Sequence, residues 1–139
     1  MEVINALWPD DEQRTSFFSV AQDGPMVMLN LLRFRDKAAY PDGSDAHLSG
    51  AEAYGRYAQG VMSLLKAHGA RITFAGTLDG ILLGRVEEPW DMVALAWYPS
   101  TAAMEAMVNS PDYAAIAVHR DAGLAGQLDI RVKPLTPVP

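Results

Sequence analysis

The chain has no cysteine among its 139 residues. That excludes disulfides, a thiol nucleophile and any zinc site built on thiolates. Basic residues are also scarce: eleven Lys and Arg stand against seventeen Asp and Glu, a net charge of -6. A binder of nucleic-acid backbones needs a basic face, so no nucleic-acid partner is expected. No uninterrupted apolar run approaches the length of a membrane span, and no basic region followed by a long apolar stretch follows Met1. The expectation is a cytoplasmic protein without a membrane partner. There is no GxGxxG after a strand and no GxxxxGK[ST], so nucleotide cofactors have no support. His47, His68 and His119 show no HxH or HExxH spacing, and no metal site is expected. A single axial histidine would suffice for haem, yet nothing favours it. The expectation is no cofactor.

What is present is a globular composition, 50% hydrophobic and 20% charged, in a chain of ordinary single-domain size. We read one domain over 1–139: an N-terminal helical extension (1–25), a core (26–133) and a proline-rich tail (134–139). Asp10 to Gln22 suits a short helix ended by Gly24-Pro25. "MVMLNLLRFR", Met26 to Arg35, is too short for a typical helix and reads as a strand apolar on both faces, one carrying Val27, Leu29 and Leu31, the other Met28, Asn30, Leu32 and Phe34. Asp36 to Leu48 is a long loop of turn formers. Ser49 with Glu52 forms a capping box that opens a helix, and Gly69 stops it. Arg71 to Val86 is read as one long strand bulged at Asp79-Gly80. Asp91 to Tyr98 is a third strand. Ser100 or Thr101, and then Ser110 with Pro111, cap two further helical segments, the second ended by Gly123. Leu128 to Lys133 is the last strand.

Strand, helix, strand, strand, helix, strand is the ferredoxin-like βαββαβ order of an α+β fold, with helices on one face of an antiparallel sheet. The other face would be bare and apolar. Two subunits packed bare face to bare face as a homodimer resolve that exposure.

"MVMLNLLRFR", "WDMVALAWYPS" and "SPDYAAIAVHRDAGL" resemble, in order and spacing, the bacterial domain-of-unknown-function family numbered 1330, in its longer subgroup with the "VMLNLLRFR" opening. The resemblance covers about Pro25 to Leu128. It implies the dimeric α+β barrel superfamily, whose relatives include cofactor-independent monooxygenases, muconolactone isomerases, chlorite dismutases and stress-induced proteins. The family itself brings no established reaction.

Several residues are candidates for chemistry. Asn30 lies mid-strand, where an unpartnered buried amide costs about 1–3 kcal/mol. It is either a ligand-binding amide or one satisfied by backbone or at a dimer seam. Arg33 and Arg35 share a face; they fit a fork for a carboxylate or phosphate, or a pair of rim cations. His119 is the natural general base, or a core-edge or dimer-contact residue, and Arg120 answers the helix dipole. Tyr54 and Tyr57 face one way on their helix, as packing or as pocket lining. Trp97 and Tyr98 point to opposite faces, so only one shares any cavity. Trp90 anchors a turn.

Two functions follow. One is a small-molecule-binding protein or cofactor-independent enzyme, of isomerase or monooxygenase type, acting on a small, partly apolar acid or carbonyl metabolite. Asn30, Arg33, Tyr54 and Tyr57 would bind substrate and His119 would be the base. The alternative is a non-catalytic dimeric structural or stress-related module with no pocket ligand. The discriminating geometry is whether Asn30 and His119 share an empty volume.

Overall fold

The computed structural model describes residues 1–19 and 24–138. The elements are α1 (Asp11–Ser19), β1 (Met26–Phe34), α2 (Gly50–Ala67), β2 (Arg71–Thr77), β3 (Met92–Tyr98), α3 (Thr101–Val108), α4 (Pro111–Gly123) and β4 (Leu124–Val132). The strands form one antiparallel sheet in the order β2-β3-β1-β4. This is the ferredoxin-like arrangement read from the sequence.

Local chemistry sets the helix boundaries. The Ser49 side chain accepts from the Glu52 backbone N–H at 3.0 Å, and the Glu52 carboxylate accepts from the Ser49 N–H at 3.0 Å. This box fixes the start of α2. Gly69, at φ +74, supplies the left-handed residue that ends it. Ser100 and Ser110 accept from Ala103 N–H and Tyr113 N–H, capping α3 and α4. The part of the expected N-terminal helix beyond Ser19, up to Gln22, lies outside the described residues.

Two strands depart from the sequence reading. β2 ends at Thr77, not Val86, and its bulge falls between Ile72 and Phe74. Beyond it, residues 78–91 form a connecting loop in which Ile81, Leu82 and Leu83 are exposed. Gly80 and Gly84 flank this apolar triplet, and Gly84 sits at φ +87, a turn geometry rather than a strand. β4 starts at Leu124, four residues earlier than expected, because it follows α4 without a connecting turn.

Alternation sorts the sheet residues onto two faces. Met26, Met28, Asn30 and Leu32 share the helix-covered face with Tyr98, Ala96 and Ala94 of β3 and with Arg131, Asp129 and Gln127 of β4. The main core lies here: Met26, Met28, Val61, Leu65, Ala96, Tyr98, Met107 and Tyr113 are buried together. Each large side chain so buried contributes about 1.5–3 kcal/mol. Val27, Leu29, Leu31, Val93, Leu95, Trp97, Ile130 and Val132 occupy the opposite face, covered in part by the tail residues Pro134, Thr136 and Val138.

α2 and α4 cross at unusually close range. The Arg35 N–H donates to Gly123 C=O at 2.8 Å, and Gly50 N–H donates to Arg35 C=O at 3.0 Å. A Cβ at Gly123 would fall 2.5 Å from the Gly50 oxygen and 2.7 Å from the Tyr54 nitrogen. Only glycine fits there. The segment before α1 runs along β4, exchanging two backbone hydrogen bonds between Ala6 and Gln127 (3.1 and 2.9 Å). Gly126 permits this approach, since its Cβ would meet Asn5 Cβ at 2.6 Å.

Candidate functional site

A cavity of about 800 Å³ lies between the helix-covered face of the sheet, the helices and the N-terminal segment. That is within the range of small-molecule sites. Met28, Met104, Met107 and Val108 give it an apolar floor, while Tyr54, Tyr57, Tyr98 and Tyr113 ring it with phenols. Asn30, Arg120, Gln127 and Asp129 are among its polar groups, beside Arg131 of β4 and Glu12, Gln13, Arg14 and Ser16 of α1.

Two sets of polar groups stand out in this lining. The first is a continuous hydrogen-bonded chain. Asn30 Nδ2 donates to the Met28 and Ala94 carbonyls, both at 3.2 Å, and its Oδ1 accepts from Gln127 Nε2 at 2.7 Å. Gln127 Oε1 accepts in turn from Arg120 at 2.8 Å. The same guanidinium nitrogen donates to the Leu7 carbonyl at 2.5 Å, and its other terminal nitrogen pairs with Asp121 at 3.1 Å. Trp8 lies 4.7 Å from the guanidinium carbon. Asn30 therefore holds Gln127, Gln127 holds Arg120, and Arg120 ties the N-terminal segment over the cavity.

The second set is open. Among the described residues the Asp129 carboxyl and the Tyr54 and Tyr98 hydroxyls have no hydrogen-bond partner, and all three residues line the cavity. Burial pushes the Asp129 carboxyl up to about 6, with the nearby positive charge of Arg120 pulling the other way. By surface area Asp129 is nonetheless exposed in the single chain, so water in the open cavity screens this shift. Burial likewise pushes the hydroxyls of Tyr54, Tyr57 and Tyr98 well above the usual phenol range, so all three remain neutral donors. Tyr57 and Tyr113 hydroxyls pair at 3.1 Å.

The raised Asp129 value has a measurable consequence. Its protonated form is favoured by folding, so the stability it contributes is full below 3.8 and is lost as the pH rises through about 6. Fully shielded, that displacement is worth about 3 kcal/mol; cavity water reduces it to about 1 kcal/mol. Asp129→Asn is therefore expected to be more stable relative to wild type at pH 7.5 than at pH 4, by about 1 kcal/mol. Urea unfolding at both pH values measures it, and an unchanged difference would refute the assignment.

The structure brings Asn30, Tyr54 and Tyr57 to this cavity and leaves Arg33 and His119 outside it. Arg33 sits on the opposite face of β1, because odd-numbered residues there alternate away from Asn30, and it donates to the Pro89 carbonyl at 3.1 Å. His119 Nδ1 lies 2.6 Å from the Tyr40 hydroxyl, outside the cavity lining. Tyr40 also accepts from Arg56 at 3.3 Å, and Arg56 pairs with Asp45 at 2.9 Å, so this cluster fastens the 36–48 loop to α2 and α4. Among the described residues, His119 is not part of the lining of the cavity that Asn30 faces. Arg120, Gln127 and Asp129, which the sequence pattern does not assign to a cavity, line it as well. Trp90 does anchor its turn, donating to Asn5 Oδ1 at 2.8 Å.

Among known proteins, the family model described as "Domain of unknown function (DUF1330)" matches residues 44–131, well over half of the chain. The chain belongs to this family. The DUF1330 match starts after β1, so the "VMLNLLRFR" strand lies outside it. A crystal structure of a protein of unknown function from Rhodopseudomonas palustris is 36% identical, with a TM-score of 0.87 over 96% of this chain and 100% of that one. More distant structures share the fold alone. One is a dimeric ferredoxin-like protein of unknown function from Bacteroides fragilis, 12% identical with a TM-score of 0.51, covering 79% of this chain and 96% of that one. Another is a cofactor-independent oxygenase from Streptomyces nogalater, 10% identical with a TM-score of 0.53, covering 84% and 98%. No protein with a curated description matches the chain. Among the described residues no helix is long and apolar enough to cross a membrane.

Proposed function

We propose that this DUF1330 protein binds a small, partly apolar carbonyl metabolite in the 800 Å³ cavity and moves a proton on it without a cofactor. The observation that carries this reading is the convergence of three unpartnered groups, Asp129, Tyr54 and Tyr98, on one apolar-floored volume. A carboxyl titrating near 6 is ionised at neutral pH and basic enough to act as a general base. Asp129 would take a proton from the carbon next to the carbonyl. The C–H electron pair would move into an enolate, whose oxygen Tyr54 and Tyr98 would hold by O–H donation. Asp129 would then return the proton to the same carbon or a conjugated one. This reading replaces His119 with Asp129 as the base and drops Arg33; Asn30 becomes a positioning residue. The functional unit is a homodimer through the open sheet face, where Phe74, Ile130 and Val132 are exposed in the single chain.

A non-catalytic module has one observation in its favour: Asn30, Gln127 and Arg120 hydrogen-bond to protein groups, as structural residues do. Deuterium exchange at the carbonyl-adjacent carbon, followed by NMR across a panel of enolisable ketones and keto acids, separates the two. Wild type is expected to exchange at least one compound, with a rate rising through pH 6 as Asp129 ionises. Asp129→Asn should lose about a thousandfold of that rate. Thermal stabilisation by a compound without exchange makes the protein a binding module. The absence of both exchange and stabilisation across the panel refutes the cavity as a ligand site.

A further inference from the structure

We infer that the Ile81–Leu83 tip of the β2–β3 loop is an arm that seats in a groove on the open sheet face of a second copy of this chain. This inference rests on the face-to-face dimer proposed above. The tip is anomalous for a free surface. Leu82 and Leu83 are 103% and 89% exposed, with Ile81 at 55%. Three consecutive apolar side chains held out by a glycine-flanked turn need a partner surface.

The same chain offers a matching receptor. Val27, Leu29, Leu95 and Val132 on the open face, with Pro134 and Val138 of the tail, wall an almost wholly apolar groove of about 250 Å³. Charge favours the same pairing. The charged side chains that the strands place on the open face are Arg33 and Arg71, both cationic. The arm carries Asp79, Glu87 and Glu88 against one cation, Arg85. An acidic arm on a basic-rimmed face is complementary, whereas an arm against another arm is not.

The arm is also continuous with the open face. Its root is pinned there, since Arg33 donates to Pro89 C=O at 3.1 Å and Asp91 N–H donates to Leu32 C=O at 2.7 Å. Phe74 on β2, 57% exposed, extends the apolar strip from the face toward the arm. Two copies related by a two-fold axis would each give an arm and receive one.

The absence of native cysteine makes the test clean. Leu82→Cys and Thr136→Cys proteins, carrying different tags, are mixed at low concentration, allowed to re-equilibrate, and oxidised. The expected result is a disulfide-linked heterodimer containing one of each. A control pairing Leu82→Cys with Lys66→Cys, on the outer surface of α2, should give none. In parallel, Leu82→Asp/Leu83→Asp should weaken dimerisation about 100-fold by sedimentation. A wild-type dimer, with no disulfide between the two introduced thiols and an unweakened double variant, overturns the arm and leaves the face-to-face dimer standing. A wild-type monomer at all concentrations overturns both.

Discussion

Gly123→Ala is expected to lower stability by about 3 kcal/mol and the thermal midpoint by about 10 °C. The cause is backbone against backbone. The new methyl would stand 2.5 Å from the Gly50 oxygen and 2.7 Å from the Tyr54 nitrogen, neither of which is the free end of a flexible side chain. Relief requires α2 and α4 to separate, and separation breaks the hydrogen bonds that Arg35 makes to Gly123 and Gly50. Gly55→Ala is the internal control. It lies on the exposed side of α2 with open space where its Cβ would go. There the same substitution raises helix propensity and should stabilise by up to about 1 kcal/mol. Scanning calorimetry of the two variants measures both signs. Equal, small effects would mean that the α2–α4 crossing is looser than described.

Arg120→Met should cost about 3 kcal/mol and change the cavity's electrostatics at the same time. Only 9% of Arg120 is exposed, and removing its charge leaves Gln127 Oε1 and the Leu7 carbonyl without their donor. It also removes the positive charge that pulls the Asp129 carboxyl back down. The Asp129 carboxyl should therefore titrate above its wild-type value of about 6. The proposed proton transfer should then need a higher pH. Carbon-detected NMR of the Asp129 carboxyl follows the titration, and urea unfolding follows the stability. Unchanged titration would show that Arg120 is too well screened by cavity water to act on Asp129.

Much of the fold was legible because its signals are local. Ser49 with Glu52, Ser110 with Pro111 and the stop at Gly69 are short-range devices, and each appears where its residues predict. The apolar two-faced pattern of Met26 to Phe34 identified a central strand for the same reason. The strand expected to reach Val86 failed because "LDGILLG" is apolar without being buried: Leu82 and Leu83 point to solvent in the single chain. Apolarity alone does not distinguish a strand from a surface that another chain covers.

The cavity was only half legible. Asn30, Tyr54 and Tyr57 stood out as polar or aromatic interruptions in apolar patterns. Asp129 did not, although a signal existed. Gln127, Asp129 and Arg131 alternate with Leu128, Ile130 and Val132, which marks a polar strand face. Read in isolation that face belongs to water; in the βαββαβ order it belongs under the helices. Arg120 was hidden by position, because a cation near a helix C-terminus is already accounted for by the dipole. His119 drew notice by residue type, but its rotation about α4 turns it toward Tyr40 rather than the sheet.

The Ala6–Gln127 bridge and the Leu7–Arg120 hydrogen bond make the segment from Ile4 to Pro9 a wall of the cavity. At the other end, Pro134 to Val138 wall the groove on the open face. Neither terminus is therefore an inert place for a purification handle. An N-terminal fusion loads the segment that closes over Arg120, and a C-terminal one loads the surface proposed to meet a second copy. Handles placed in the exposed 41–47 turn region, held by Arg56 and Asp45 rather than by either site, would leave both undisturbed.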